Sequence, residues 1–241
     1  MSIENMKILV TGGGSGIGLG LAERFLHLGN TVIICGRRSD VLEEAQKKNP
    51  TLITRTCDLE SDEDRVALFN WIQAEHPDLN VLVNNAGIQH WTNLDDADFM
   101  RKTRQEIAIN IEAPLHLGHL FMKLSSLKII MNVTSGLSYV PFAKVPVYSA
   151  TKAFLHSFTA SQRKQLEDKG IEVIEIIPPA LNTDLGAPGL HAAYPPVSEF
   201  IECIFMQLEG GQRKKLTFGI STMLDVAGPA ELEATFTKLN G

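Results

Sequence analysis

The sequence predicts an α/β fold, a doubly wound parallel sheet of about seven strands between two layers of helices. Three observations carry this. Short apolar runs alternate with longer segments of helical spacing along the 241-residue chain. Most of the runs are apolar without alternation, the pattern of strands covered on both faces. The first run ends in a glycine cluster that opens a helical segment, at the sheet edge where such folds bind ligands.

In order, Lys7–Thr11 reads as the first strand and Gly16–Leu28 as a helix with Ile17, Leu21, Phe25 and Leu28 on one side. Thr31–Cys35 is the second strand, Asp40–Lys48 a helix stopping before Pro50, and Leu52–Cys57 the third strand. Ser61 caps a helix over Asp62–Glu75, and Asn80–Val83 is the fourth strand. Asp98–Leu124 reads as one long helix bent by Pro114. Leu127–Val133 is the fifth strand, Val147–Lys169 a long helix ending at Gly170, and Ile171–Ile177 the sixth strand. Residues 184–197 are loop-like, Ser198–Leu208 is a helix, Lys215–Phe218 a seventh strand and Pro229–Leu239 a terminal helix. No linker or repeat divides the chain, so 1–241 reads as a single domain, with 184–215 as a flap and helix.

Hydrophobic residues at 44% and charged residues at 21% support a sizeable core. With 28 acids against 22 bases the net charge is −6, and the densest basic runs, Arg37–Arg38 and Arg213–Lys215, are too short for a nucleic-acid footprint. No apolar run approaches the ~20 residues of a membrane span, so no membrane partner is expected. The polar segment Met1–Lys7 leads into a strand and does not read as a secretory signal. Cys35, Cys57 and Cys203 are odd in number with no close pair, which suits reduced thiols of a cytoplasmic protein. His116 and His119 lack a nearby acid or thiol, so no metal site is expected. Glu43, Glu44, Lys47 and Lys48 are spaced for i, i+4 support of a surface helix.

The glycine turn reads Thr11-Gly12-Gly13-Gly14-Ser15-Gly16-Ile17-Gly18, a T-G-x-x-x-G-x-G spacing. Its glycines let the backbone approach a pyrophosphate, and the following helix offers free N–H groups and its positive dipole end. Gly36-Arg37-Arg38 stands where an acid would bind the ribose of NAD. An arginine there suits a 2′-phosphate, which favours NADP(H) with NAD(H) possible; the competing reading is two solvated charges opening a helix. Asp58, beside Leu59, either accepts from an adenine amino group or braces a turn.

Tyr148 and Lys152 lie one helical turn apart in Y-x-x-x-K, where an ammonium favours the phenolate of a tyrosine whose free pKa is ~10. Such a pair can donate a proton to a carbonyl oxygen or take one from an alcohol. Ser135 follows the fifth strand, Asn84-Asn85-Ala86-Gly87 ends the fourth, and Asn110 sits mid-helix where Asn is a mediocre helix former.

Together these motifs resemble the short-chain dehydrogenase/reductase family of the ~250-residue single-domain kind, over essentially the whole chain. Ile176–Leu185 and Lys215–Gly219 are similar to the DltE-like branch of bacterial oxidoreductases. The resemblance implies a Rossmann fold and hydride transfer between NADP(H) and a small carbonyl or alcohol. It implies Tyr148 as general acid/base, Lys152 binding the nicotinamide ribose and lowering the tyrosine pKa, Ser135 orienting the carbonyl, and Asn110 holding a relay water. Gly12, Gly16, Ile17 and Gly18, with Gly14 and Ser15, would surround the pyrophosphate; Asn85, Ala86 and Gly87 would line the adenosine ribose; Arg37, Arg38, Asp58, Leu59 and Pro178 are further cofactor contacts, and Thr183 would bond the carboxamide. The usual P-G-x-V-x-T reads Pro178-Pro179-Ala180-Leu181-Asn182-Thr183 here, so the loop geometry departs while the Thr183 spacing holds. His90, Trp91, Leu185, Leu190, His191 and Tyr194 are candidate pocket lining, with Trp91 otherwise a cover for its loop. A homodimer or homotetramer is expected, through Leu115–Leu124 and Phe154–Phe158. The alternative is a cofactor-binding sensor or interaction protein on the same fold.

Overall fold

The computed structural model describes residues 3–241. The elements are β1 (Lys7–Thr11), α1 (Gly16–His27), β2 (Thr31–Gly36), α2 (Ser39–Lys48), β3 (Ile53–Thr56), α3 (Asp62–Glu75), β4 (Val81–Asn84) and α4 (Phe99–Ile107). They continue with α5 (Ala113–Phe121), β5 (Ile129–Val133), α6 (Pro146–Leu166), β6 (Glu172–Ile177), α7 (Val197–Glu209), β7 (Lys215–Thr217), α8 (Ile220–Val226) and α9 (Pro229–Asn240). The seven strands form one sheet in the order β3-β2-β1-β4-β5-β6-β7, with every pairing parallel. The order reverses between β1 and β4, so a crevice opens there at the carboxyl ends of the strands. The glycine turn follows one of these strands and Asn84–Gly87 the other.

Each strand divides its side chains between two cores. Ile8, Val10, Val32, Ile34, Val81 and Val83 pack under α1, α2 and α7, where Phe25 and Phe205 meet edge to face at 5.0 Å. Leu9, Ile33, Leu82 and Ile130 face the opposite layer, built on Leu68, Phe69 and Ile72 of α3 and Leu117 and Phe121 of α5. Fully burying one such side chain contributes roughly 1.5–3 kcal/mol, so both faces hold the sheet edge in place.

Three features differ from the sequence expectation. The long helix over Asp98–Leu124 is α4 and α5 joined by a π-helical turn at Ala108–Glu112. Pro114 has no N–H to give the carbonyl four residues back, which belongs to Asn110, and the ladder shifts register before the proline. The short helix α8 had no sequence signal, because seven residues span too few turns for a periodicity. In α2, Lys47 pairs with Glu44 at 2.6 Å, three residues away, rather than with Glu43 at four.

The surface proposed for subunit contact is partly consumed within the chain. Leu117, Leu120, Phe121 and Leu124 lie in the second core, whereas Phe154 is exposed and stacks on Phe158 at 6.4 Å. Among the described residues no helix is long and apolar enough to cross a membrane.

Candidate active site

The glycine turn is shaped by side chains it lacks. A Cβ on Gly18 would sit 2.3 Å from the Gly12 carbonyl oxygen and 2.4 Å from Asn85 Nδ2, so only glycine lets α1 seat against the loop after β4. Gly12 has φ +64° and faces the Ala86 backbone at 2.9 Å, a second position where only glycine fits. Thr11 Oγ1 accepts the N–H groups of Asn85 and Ala86 at 3.0 and 3.1 Å. Asn85 Nδ2 donates to the Thr11 carbonyl at 2.9 Å. The Asn85 amide nitrogen therefore braces the glycine turn. The N-cap residue Ser15 makes no side-chain cap bond, and the first turn of α1 carries no acid. Gly14, Ser15, Gly16 and Ile17 thus present a helix N-terminus whose positive end no carboxylate neutralises, which fits an anionic pyrophosphate.

Arg37 and Arg38 are exposed at the start of α2 and pair with no acid among the described residues. Two cations at a helix N-terminus oppose its dipole, with Asp40 in the first turn as the counter-charge, and an added anion there would meet both arginines. Asp58 Oδ1 accepts the Glu60 N–H at 3.1 Å, which makes it a turn brace as well as an adenine candidate. The neighbouring Leu59 carbonyl is held by buried Arg65, whose Nε also donates to His116 Nδ1 at 3.1 Å. That contact gives His116 a structural role. Cys35 and Cys57 are buried free thiols pushed upward by burial, Cys57 to about 12.

On the other side of the crevice the groups are buried and polar. Ser135 follows β5, and its Oγ accepts the Leu137 N–H at 3.1 Å. Tyr148 and Lys152 are both buried on the first turns of α6. Burial pushes the Tyr148 phenol up, a hydrogen bond with Ser135 pulls it down, and the Glu106 carboxylate pushes it up again. Burial lowers Lys152 to about 8. Its Nζ donates to the Val133 carbonyl at 2.9 Å and lies 5.6 Å from the Tyr148 ring centre. Burial is the largest influence on the Tyr148 phenol. The ammonium is directed at a backbone carbonyl, and desolvation dominates.

Asn110 lies in the π turn and makes three side-chain bonds. Oδ1 accepts the Ile88 N–H at 2.9 Å, while Nδ2 donates to the Ile88 carbonyl at 2.9 Å and to Thr151 Oγ1 at 3.1 Å. The side chain thereby ties the loop after β4 to the helix of Tyr148. A Cβ on Gly87 would lie 3.4 Å from Asn110 Oδ1 and 3.5 Å from Lys152 Nζ, so Gly87 forms a floor beside both. Thr183 lies next to Gly16, within 3.4 Å of where its Cβ would be. The Pro178 carbonyl accepts the Gly136 N–H at 2.9 Å, and Pro179 is accommodated without a cis bond.

Sequence reasoning missed several supporting residues. Asn84 Nδ2 donates to Asn132 Oδ1, and Asn132 donates to Thr159 and Gln162, each at 2.9 Å. This buried chain knots β4, β5 and α6 directly behind the site. Thr134 and His156 both bond Glu175 Oε1, at 2.7 Å each, beneath Ser135. Glu106 is 1% exposed, accepts the His90 N–H at 2.5 Å, and is pushed by burial up to about 7. Its spacing four residues before Asn110 was the available signal. Of the pocket-lining candidates, Trp91 is exposed against Phe142 at 5.8 Å, and Leu190 and Tyr194 are exposed in the flap.

Residues 6–191 match the family model for short chain dehydrogenase. The chain belongs to this family. It is 40% identical to the uncharacterized oxidoreductase DltE of Bacillus subtilis (strain 168), covering 100% of this chain and 98% of that one. It is 31% identical to a serine 3-dehydrogenase of Rhizobium radiobacter over 73% of this chain and 72% of that protein. A short chain dehydrogenase from Burkholderia cenocepacia J2315, crystallised with NADP, superposes with a TM-score of 0.85 over 99% of both chains at 24% identity, which is a likeness of fold. This short-chain dehydrogenase thus has its glycine turn and its Ser135, Tyr148 and Lys152 on one edge of a Rossmann sheet.

Proposed function

We propose that this short-chain dehydrogenase interconverts a small carbonyl compound and its alcohol with NADP(H), in one catalytic domain spanning the chain. The single observation that supports this best is the buried group of Ser135, Tyr148, Lys152 and Asn110 beside the glycine turn. NADP(H), when bound, supplies or accepts the hydride. The residues fit it. The α1 N-terminus is open to the pyrophosphate, Gly12 and Gly18 clear its approach, and Arg37 and Arg38 would hold the 2′-phosphate. Gly87, Lys152 and Thr183 would meet the nicotinamide end.

In reduction, Ser135 Oγ donates to the carbonyl oxygen and orients it. Tyr148 then gives its phenolic proton to that oxygen as charge develops there. In oxidation Tyr148 takes the proton back. Lys152, with an ammonium brought near neutrality by burial, refills the phenol. The Asn110 carbonyl, freed by Pro114 from its regular α-helical donor, would hold the water that reaches Lys152. The exposed apolar residues Leu190, Tyr194 and Trp91 suit a substrate with an apolar portion. Buried free thiols at Cys35 and Cys57 support work in the cytoplasm, and the stacked, exposed Phe154 supports a homo-oligomer.

The test is oxidation of NADPH and NADH against a panel of ketones, aldehydes and sugars. Turnover favouring NADPH is expected. Tight NADPH binding with no turnover, coupled to altered association with a macromolecule, would instead favour the sensor reading, and loss of NADPH binding would remove both.

A further inference from the structure

Glu106 is a buried carboxyl that the mechanism above does not use. It lies on α4, four residues before Asn110, and the two side chains grip one loop at alternate residues. Asn110 holds Ile88 through both its N–H and its carbonyl, and Glu106 Oε1 holds the His90 N–H. The same stretch is bonded to α6 through Asn110 and Thr151, three residues after Tyr148. Glu106 therefore sits on a helix that runs into the π turn of Asn110 and packs against α6, the helix of Tyr148. Its second oxygen, Oε2, is fully buried and has no protein partner, as do Thr103 Oγ1 one turn before it and His90 Nε2 on the loop it grips. A carboxyl gripping a loop needs only one oxygen; the other is left where its charge is unscreened.

We propose that Glu106 is a positioning residue for Tyr148: one carboxyl oxygen locks the loop after β4, and the charge on the unpartnered oxygen sets how readily Tyr148 gives up its proton. This rests on the catalytic reading of Tyr148. The groups that surround it agree. From α6 come Tyr148, which an ionised Glu106 opposes, and Lys152, whose ammonium is engaged by Val133. From the loop comes His90, which burial, Lys102 and Arg101 keep neutral, with Asp98 opposing them. No cation bonds Glu106 among the described residues, so burial is what pushes its carboxyl toward about 7. Below that pH the side chain is neutral and Tyr148 is unhindered. Above it, an anion in a medium of low polarity holds the tyrosine proton more tightly.

Glu106→Gln tests this, because the amide oxygen keeps the His90 bond and loses the ionisation. With any alcohol that the parent oxidises in a Tyr148-dependent way, the rising limb of the kcat/KM–pH profile should move about one pH unit lower in Glu106→Gln. A variant profile that is the parent's multiplied by one factor at every pH would overturn the proposal, since a purely structural role scales without shifting. Two readouts need no substrate. In carbon-13 spectra of the parent, one glutamate carboxyl should titrate near neutrality, and that signal should be missing from Glu106→Gln. Unfolding stability of the parent should fall between about pH 4.3 and 7, because the folded state holds this proton up to about 7 and the unfolded state only to ~4.3, and Glu106→Gln should lack that fall. Glutamates that all titrate in the ordinary range would overturn the proposal. Turnover independent of Tyr148 would instead overturn the catalytic reading, leaving the carboxyl titration to be judged by itself.

Discussion

The two sides of the crevice are built by opposite means. On the side of β1, β2 and β3, space is made by missing side chains and charge is left exposed, as at Gly12, Gly18, Arg37 and Arg38. On the side of β4, β5 and β6, the working groups are polar, buried and tied to backbone, as at Lys152 on Val133 and Asn110 on Ile88. The first side leaves its cations and its helix N-terminus open to an anion. The second holds an ammonium and a phenol out of water, which is unfavourable until a ligand engages them. A binding surface can thus be made by omission, whereas the proposed proton transfer needs desolvated groups held in register.

Substitutions should separate the sides. Lys152→Met should lower kcat by about 10²–10⁴-fold, the range of a lost acid–base partner. It should also stabilise the fold at pH 7 by about 2 kcal/mol, because burial depresses the lysine in the folded state. The unfolded chain then binds the extra proton, so the advantage should shrink as pH rises from about 8 towards 10.5, where neither state is charged. Urea unfolding of both proteins at pH 7 and pH 10 checks this; a variant less stable at pH 7 would contradict the contrast between the sides.

Gly18→Ala acts on the other side by filling space. A methyl 2.3 Å from the Gly12 oxygen must push α1 off the turn. We expect about 1–3 kcal/mol of destabilisation, read as a fall in melting temperature, together with loss of NADPH binding in a fluorescence titration. Arg37→Ala and Arg38→Ala should each leave stability within about 0.5 kcal/mol of the parent, since both side chains are exposed. Loss of a charged hydrogen bond worth about 1.5–3 kcal/mol would weaken NADPH by roughly 10-fold or more and leave NADH unchanged. Equal weakening of the two cofactors would mean that the arginines serve the whole surface rather than a 2′-phosphate. Asn132→Ala should have the smallest effect on chemistry: about 1–3 kcal/mol of stability lost through unpaired Asn84 and Gln162, with KM for NADPH little changed.

What could be read from the sequence divides along the same line. The central strands were legible because each is a largely apolar run, unlike β3 with its Ile-Thr-Arg-Thr, and the α3 bounds coincide with those read from Ser61 and the helix period. The glycine turn and Y-x-x-x-K were legible because their chemistry is local in the chain. The Asn84–Asn132–Gln162 chain was not, since its members are far apart in sequence and each alone looks like a strand end or a helix surface. The π turn was read as a proline bend, because a proline announces that a ladder breaks but not how the register is repaired. Glu106 drew no reading from the sequence: its one signal is its spacing from Asn110, and the packing of α4 shows it buried.

The most direct measurement compares the parent with Tyr148→Phe at saturating NADPH, on one carbonyl compound that the parent reduces, with NADPH affinity measured on the same samples. The predicted result is a kcat lower by about 10²-fold or more with an unchanged dissociation constant for NADPH. Equal turnover in the two proteins would contradict the assignment of Tyr148 as the proton donor.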